Sequence, residues 1–179
     1  MTRRAVCPDP QRVEGVVGLM RRDAYLSNDR MFRYWLIRIW DDSLPLMANW
    51  GANPSTADEK ENDPTIRKDM GFAERNGCGG ILKLNVGAYR ATKPKDWYNA
   101  SDPFGPENQI EDFWRYCGLF NAKMFVAAWG KCIGRFAFRG EQIAQAFPNM
   151  MCLGRTADGT PRHTLMLPYT AQLEPYNKG

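Results

Sequence analysis

Four hydrophobic, strand-like runs in this chain each end on a short polar punctuation, and that arrangement restricts the fold more than any other feature. The punctuations are Gly51-Ala52-Asn53-Pro54-Ser55-Thr56-Ala57-Asp58, Leu84-Asn85-Val86, Ala128-Trp129-Gly130 and Arg162-His163. Helix-like segments separate the runs, and strand–helix alternation argues for a mostly parallel sheet covered on both faces. In an open α/β sheet the crevice outside the carboxyl ends of the strands is where ligands bind. Two asparagines and the chain's single histidine, delivered to that edge, would read and polarise a planar polar ligand.

The local pattern predicts the elements in order. Residues 1–10 read as a loose arm, and Gln11 to Arg22 as a helix with Val13, Val16, Val17 and Met20 at helical spacing. Phe32 to Trp40 and Leu44 to Trp50 read as strands joined by the Asp41-Asp42-Ser43 turn, forming a hairpin. Asp63 before Pro64 is a helix-start signal, because the acid caps the first turn and proline has no N–H to waste there. That helix runs to Arg75 and stops at Asn76-Gly77. Gly80 to Val86 is a buried strand, Arg90 to Phe104 a long loop, and Pro106 to Phe120 a helix with Ile110, Phe113, Trp114 and Cys117 on one face. Lys123 to Trp129 is a strand, Gln142 to Phe147 part of a helix, and Met150 to Leu153 a last short strand.

Composition narrows the class. A length of 179 residues fits a single domain with a sizeable core, spanning 1–179 with residues 169–179 as a tail. The net charge of +4 permits a polyanionic partner, yet the basic residues form no dense stripe. Five cysteines without a Cys-x-x-Cys pair read as reduced thiols of a cytoplasmic protein, not as ligands of zinc or an iron–sulfur cluster. No run approaches the roughly 18 apolar residues of a membrane span, so no membrane is expected, and no metal or cofactor is signalled. The acidic run Asp58, Glu59, Glu61 and Asp63 reads as solvated loop, with a Mg²⁺ site as the alternative.

The punctuating residues each have a structural and a chemical reading. Asn53-Pro54-Ser55 is a turn after a strand, or, with Thr56 and Asp58, a ligand-facing loop. Asn85 ends an apolar strand, where it needs a partner: another strand end or a ligand. Arg67 and Arg90 are placed to bind phosphate, although Arg67 also sits one helical turn from Asp63. Phe72 or Tyr89 is the aromatic face on which a flat ligand would stack.

Taken together, Asn53-Pro54-Ser55-Thr56-Ala57-Asp58, Asp63-Pro64-Thr65-Ile66-Arg67, Asn85, Arg90-Ala91-Thr92, Trp129-Gly130 and Pro161-Arg162-His163 closely resemble a bacterial and phage family, domain of unknown function 1643, over residues 32–168. More distantly, the same order is similar to the uracil-DNA glycosylase superfamily. Gly51-Ala52-Asn53-Pro54-Ser55 matches that superfamily's first motif, Leu82-Lys83-Leu84-Asn85 its base-reading strand, Trp129-Gly130 a later strand end, and His163-Thr164-Leu165 its last motif. Asn53 stands where many members carry an acid, Thr164 stands where a proline follows the histidine, and no wedging loop is evident after His163.

The resemblance implies a three-layer α/β/α fold with a short, mostly parallel sheet, preceded by an N-terminal helix and hairpin. It implies a nucleobase-recognising protein that hydrolyses the N-glycosidic bond of a damaged or modified base in DNA, acting as a monomer. Asn53 would orient water, Asn85 would read the base edge, His163 would stabilise the departing base, and Phe72 or Tyr89 would stack on it. Arg67, Arg90 and Arg162 would contact phosphate. Two alternatives stay open: an enzyme acting on a free nucleotide, and a non-catalytic nucleic-acid- or protein-binding module. Asn53, Asn85 and His163 are expected to border one cavity of roughly 300–1,000 Å³.

Overall fold

The computed structural model describes residues 20–176, so the arm at 1–10 and the predicted helix up to residue 19 lie outside the described residues. The last residues of that helix, Arg21 and Arg22, instead begin β1 (Arg21–Leu26). The elements that follow are β2 (Arg33–Ile39), β3 (Leu46–Gly51), α1 (Pro64–Arg75), β4 (Gly80–Asn85), α2 (Pro94–Tyr98), α3 (Ile110–Leu119), β5 (Ala122–Ala127), α4 (Arg135–Ala146), β6 (Met151–Cys152), a 3-10 turn at Thr164–Met166 and β7 (Glu174–Pro175). No helix among the described residues is long and apolar enough to cross a membrane.

The strands form one seven-stranded sheet in the order β1-β2-β4-β3-β5-β6-β7. It is mixed, not mostly parallel. The centre, β4-β3-β5-β6, is parallel, while β1 and β2 on one side and β7 on the other are antiparallel to their neighbours. The expected β2–β3 hairpin does not form, because β4 lies between those strands and pairs with both. Gly79 and Gly80 make that insertion possible. A Cβ on Gly79 would run into the carbonyl oxygen of Asp41, and one on Gly80 would come within 2.6 Å of the Arg38 carbonyl oxygen. The partner of β2 in a hairpin is β1.

Alternation along the strands sends side chains to two faces. Met47 and Ile81 join Leu36, Val126 and the α1 residues Ile66 and Ala73 on one face. Leu46, Ala48, Trp50, Leu82 and Leu84 meet Phe113, Tyr116 and Cys117 of α3 and Phe136, Ile143 and Ala144 of α4 on the other. The chain leaves β3 through α1 to reach β4, then returns past β3 to β5. β3 is therefore the strand at which the winding direction reverses, where doubly wound sheets open a crevice at their carboxyl edge.

Local chemistry accounts for most element boundaries. The Asp63 carboxylate accepts from the Ile66 N–H at 2.8 Å and Pro64 follows as the first helical residue, so α1 begins where its sequence signal lies. Residues 106–109 are excluded from α3 because Gln109 and Asp112 form a capping box. The long loop at 90–104 contains the short α2, which places Trp97 in the core, and the tail contributes β7 and buried Tyr176.

Candidate functional site

The carboxyl ends of β3 and β4, the first turn of α1, the start of β2 and the segment around His163 enclose a cavity of about 210 Å³. Asn53, Ser55, Asp63, Asn85 and His163 line it, together with Arg33, Gly51, Lys83 and Thr65. Sequence positions scattered over more than half the chain thus share one small space. Its volume falls below the roughly 300 Å³ expected of drug-sized ligand sites and suits a single ring.

Asn85 is the most informative residue in the wall. Its side chain is 1% exposed, and both Oδ1 and Nδ2 are buried without a hydrogen-bond partner. A buried amide left unmatched costs about 1–3 kcal/mol, so this carboxamide is costly to the apo fold. The glycine opposite it keeps the space between the two strands tight but open. A Cβ on Gly51 would lie 3.0 Å from both Asn85 Oδ1 and Lys83 Nζ.

Beneath Asn85, on the same face of β4, lies a buried polar network that the sequence did not reveal. Lys83 Nζ sits 2.9 Å from Asp69 Oδ2 and donates to Asn49 Oδ1 at 2.7 Å. Asn49 Nδ2 donates to Asp69 Oδ1 at 3.3 Å, and Thr164 Oγ1 donates to the same oxygen at 2.6 Å. Asp69 on α1 therefore ties the sheet to the residue that follows His163. The available signal was the period-two pair Lys83 and Asn85 inside an otherwise apolar strand, matched by Asn49 and Gly51 on β3.

His163 is held by its backbone and by Gly130. Its Nδ1 accepts from the Leu165 N–H at 3.3 Å, which leaves Nε2 as the N–H of a neutral ring. Gly130, at φ 66°, approaches so closely that a Cβ would fall 3.3 Å from His163 Cβ. Burial, and secondarily the positive charge of Lys83, holds the imidazole below its ordinary 6.5, so the ring is neutral at pH 7. Because this is the chain's single histidine, its NMR titration is unambiguous. The imidazole signal should titrate with a midpoint below 6.5; a midpoint at or above it would contradict the burial described. The sign also bears on stability. Acid removes stability as pH falls from 6.5 toward the lowered folded value, because the unfolded chain takes up the proton first.

Asn53 lines the cavity, but both hydrogens of its Nδ2 are engaged, with Pro54 O at 3.0 Å and Ala91 O at 2.8 Å. Only its Oδ1 remains for water or ligand. Phe72 does not stack on anything in the cavity. It is 0% exposed and packs against Leu153 and Leu167, with Tyr169 over it, because its face of α1 turns toward the C-terminal segment. Tyr89 is not in the lining either and packs edge-on against Phe32.

The arginines expected to hold phosphate have other partners. Arg90 donates to the carbonyls of Ser55, Thr56 and Arg30, Arg67 to that of Asn62, and Arg162 to that of Arg155. Arg90 thereby shapes the loop carrying Ser55, and Thr56 itself is exposed outside the cavity. Asp58 caps the turn at Lys60 and Glu61 and, with Glu59, pairs with Arg30. Among the described residues no three His, Cys, Asp or Glu side chains gather as metal ligands would. Trp129 is buried against Tyr176 and Gly140, a packing role. The described cysteines are free, and burial pushes the thiols of Cys117 and Cys132 up to about 12, so they are poor nucleophiles.

Compared with known families, residues 33–165 match the one described as protein of unknown function (DUF1643). No curated protein and no solved structure matches the chain.

Proposed function

The chain belongs to the DUF1643 family of proteins of unknown function, and from its site we propose that it recognises a nucleobase in DNA and releases it by hydrolysis of the N-glycosidic bond. The observation that carries this reading is Asn85: a carboxamide with a free donor and a free acceptor, buried in the wall of a ring-sized cavity. An adjacent donor and acceptor complement the edge of a pyrimidine, and an enzyme acting on a base takes it out of the stack into such a pocket. The small volume favours a base entering alone, with sugar and phosphate outside, over a whole free nucleotide.

In this reading the glycosidic bond breaks, the base departs with the electron pair, the oxygen of water adds to the sugar carbon, and the proton that water releases ends on the departed base. Neutral His163 donates from Nε2 to the base oxygen on which negative charge develops. Asn53 offers only Oδ1, an acceptor that positions water without strongly deprotonating it. Leu165 and Met166 are exposed on the turn after His163. In this reading the parallel centre, β4-β3-β5-β6, would be the counterpart of a uracil-DNA glycosylase core, and the antiparallel strands at the sheet edges would be additions to it.

The test is binding and single-turnover release by the purified chain on single-stranded and duplex DNA carrying uracil or other modified bases. At least one base should be bound selectively and released. Asn85→Ala should lose about tenfold or more of the discrimination among bases, the worth of one or two edge hydrogen bonds. Equal binding of every base by wild type and variant, with no release, would overturn the reading and favour a non-catalytic binding module.

A further inference from the structure

Arg33 is the feature of the cavity that a neutral base leaves unexplained. It stands at the first position of β2, which runs antiparallel to β4, so its side chain reaches the carboxyl edge of the parallel strands. Its residue is 2% exposed and lines the cavity. Of the five N–H groups of a guanidinium, one donates from Nη1 to the Ala57 carbonyl at 2.7 Å, and Nε is buried without a partner. Arg33 forms no ion pair with any described carboxylate. Asp63 and Asp69 lie near enough to favour its charge without pairing with it, and Arg90 and Arg38 oppose them; Asp63 Oδ1 caps the Ile66 N–H, and Asp69 pairs with Lys83. Burial lowers the guanidinium only to about 10, so it is charged at neutral pH.

A buried charge is disfavoured unless it is closely paired and hydrogen-bonded, and here the Nε–H has no acceptor and no carboxylate lies at ion-pair distance. Asn85 matches a neutral ring edge, which leaves the Arg33 Nε–H still without an acceptor. We propose that the cavity takes a pyrimidine-sized ring bearing a carboxylate, with the Arg33 guanidinium as the anchor for that carboxylate. The planar fork of arginine suits a planar carboxylate, which it binds through parallel N–H···O bonds. A phosphate fits less well, because a nucleoside phosphate brings ring, sugar and phosphoryl group into a space of about 210 Å³.

This inference rests on the base-recognition reading and narrows its substrate to carboxylated pyrimidines. Calorimetry on the full chain should use uracil, 5-carboxyuracil, deoxyuridine monophosphate and inorganic phosphate as probes. The carboxylated ring should bind about thirtyfold more tightly than uracil, the range of a charge-assisted hydrogen-bond pair. Arg33→Gln should reduce that preference to about threefold or less, and the wild-type preference alone decides the matter if the variant does not fold. Equal affinity for the two rings overturns the inference and leaves base recognition standing. Binding of phosphate and the nucleotide in place of the carboxylated ring also overturns it. If neither ring binds, base recognition itself has failed.

Discussion

Replacing Lys83 by Met should lower the unfolding free energy by about 3–5 kcal/mol, because it strands the Asp69 carboxylate, 0% exposed, in the protein interior without its counter-ion. Against a total stability of about 5–15 kcal/mol, such a loss brings a domain close to unfolding at ambient temperature. Urea denaturation should show the midpoint falling with an unchanged slope, since the surface exposed on unfolding is the same. The double variant Lys83→Met/Asp69→Leu should recover much of the loss. A deficit of about 1–3 kcal/mol should persist, because Thr164 Oγ1 and Asn49 Nδ2 then lose their acceptor. A single variant within 1 kcal/mol of wild type would mean that water reaches the pair and that the network is not closed as described. Since Thr164 adjoins His163, the double variant should also loosen the imidazole, visible as a titration midpoint closer to 6.5.

If the chain releases a base from DNA as proposed, His163→Ala should slow the chemical step about a hundredfold, or roughly 3 kcal/mol of barrier, while leaving DNA affinity nearly unchanged. In that reaction the donor at Nε2 would meet a neutral oxygen in the bound ground state and a developing anion only in the transition state. Its contribution therefore appears in the rate and little in the binding. Single-turnover base release beside equilibrium binding separates the two quantities. A parallel loss in both would make His163 a ground-state contact, and an unchanged rate would remove it from the chemistry.

Much of the site was legible because strand ends are legible. A hydrophobic run that closes on Asn53, Asn85 or the Trp129-Gly130 pair marks a carboxyl edge, and parallel strands bring such edges side by side. Asp63-Pro64 located the start of α1 and Asn76-Gly77 its end, because capping and backbone freedom are local properties. Residues whose surroundings come from distant segments were read less well. Phe72 looked available for stacking, but the segment carrying Leu153, Leu167 and Tyr169 covers it.

What the sequence by itself determined was the set of strands and helices at the centre and the polar residues that end the core strands. Periodicity and capping depend on neighbours a few positions away, so they survive without knowledge of the fold. Only the tertiary structure decided that β4 enters between β2 and β3, a matter of backbone approach at Gly79 and Gly80. That pairing brings Arg33 to the cavity on an antiparallel strand, and it sets Lys83 of β4 against Asn49 of β3, with Asp69 of α1 completing the buried network. The buried charges of Lys83 and Asp69 are tolerable because they lie beside each other, and these partners stand many residues apart in the chain. Their pairing exists only once the chain is folded.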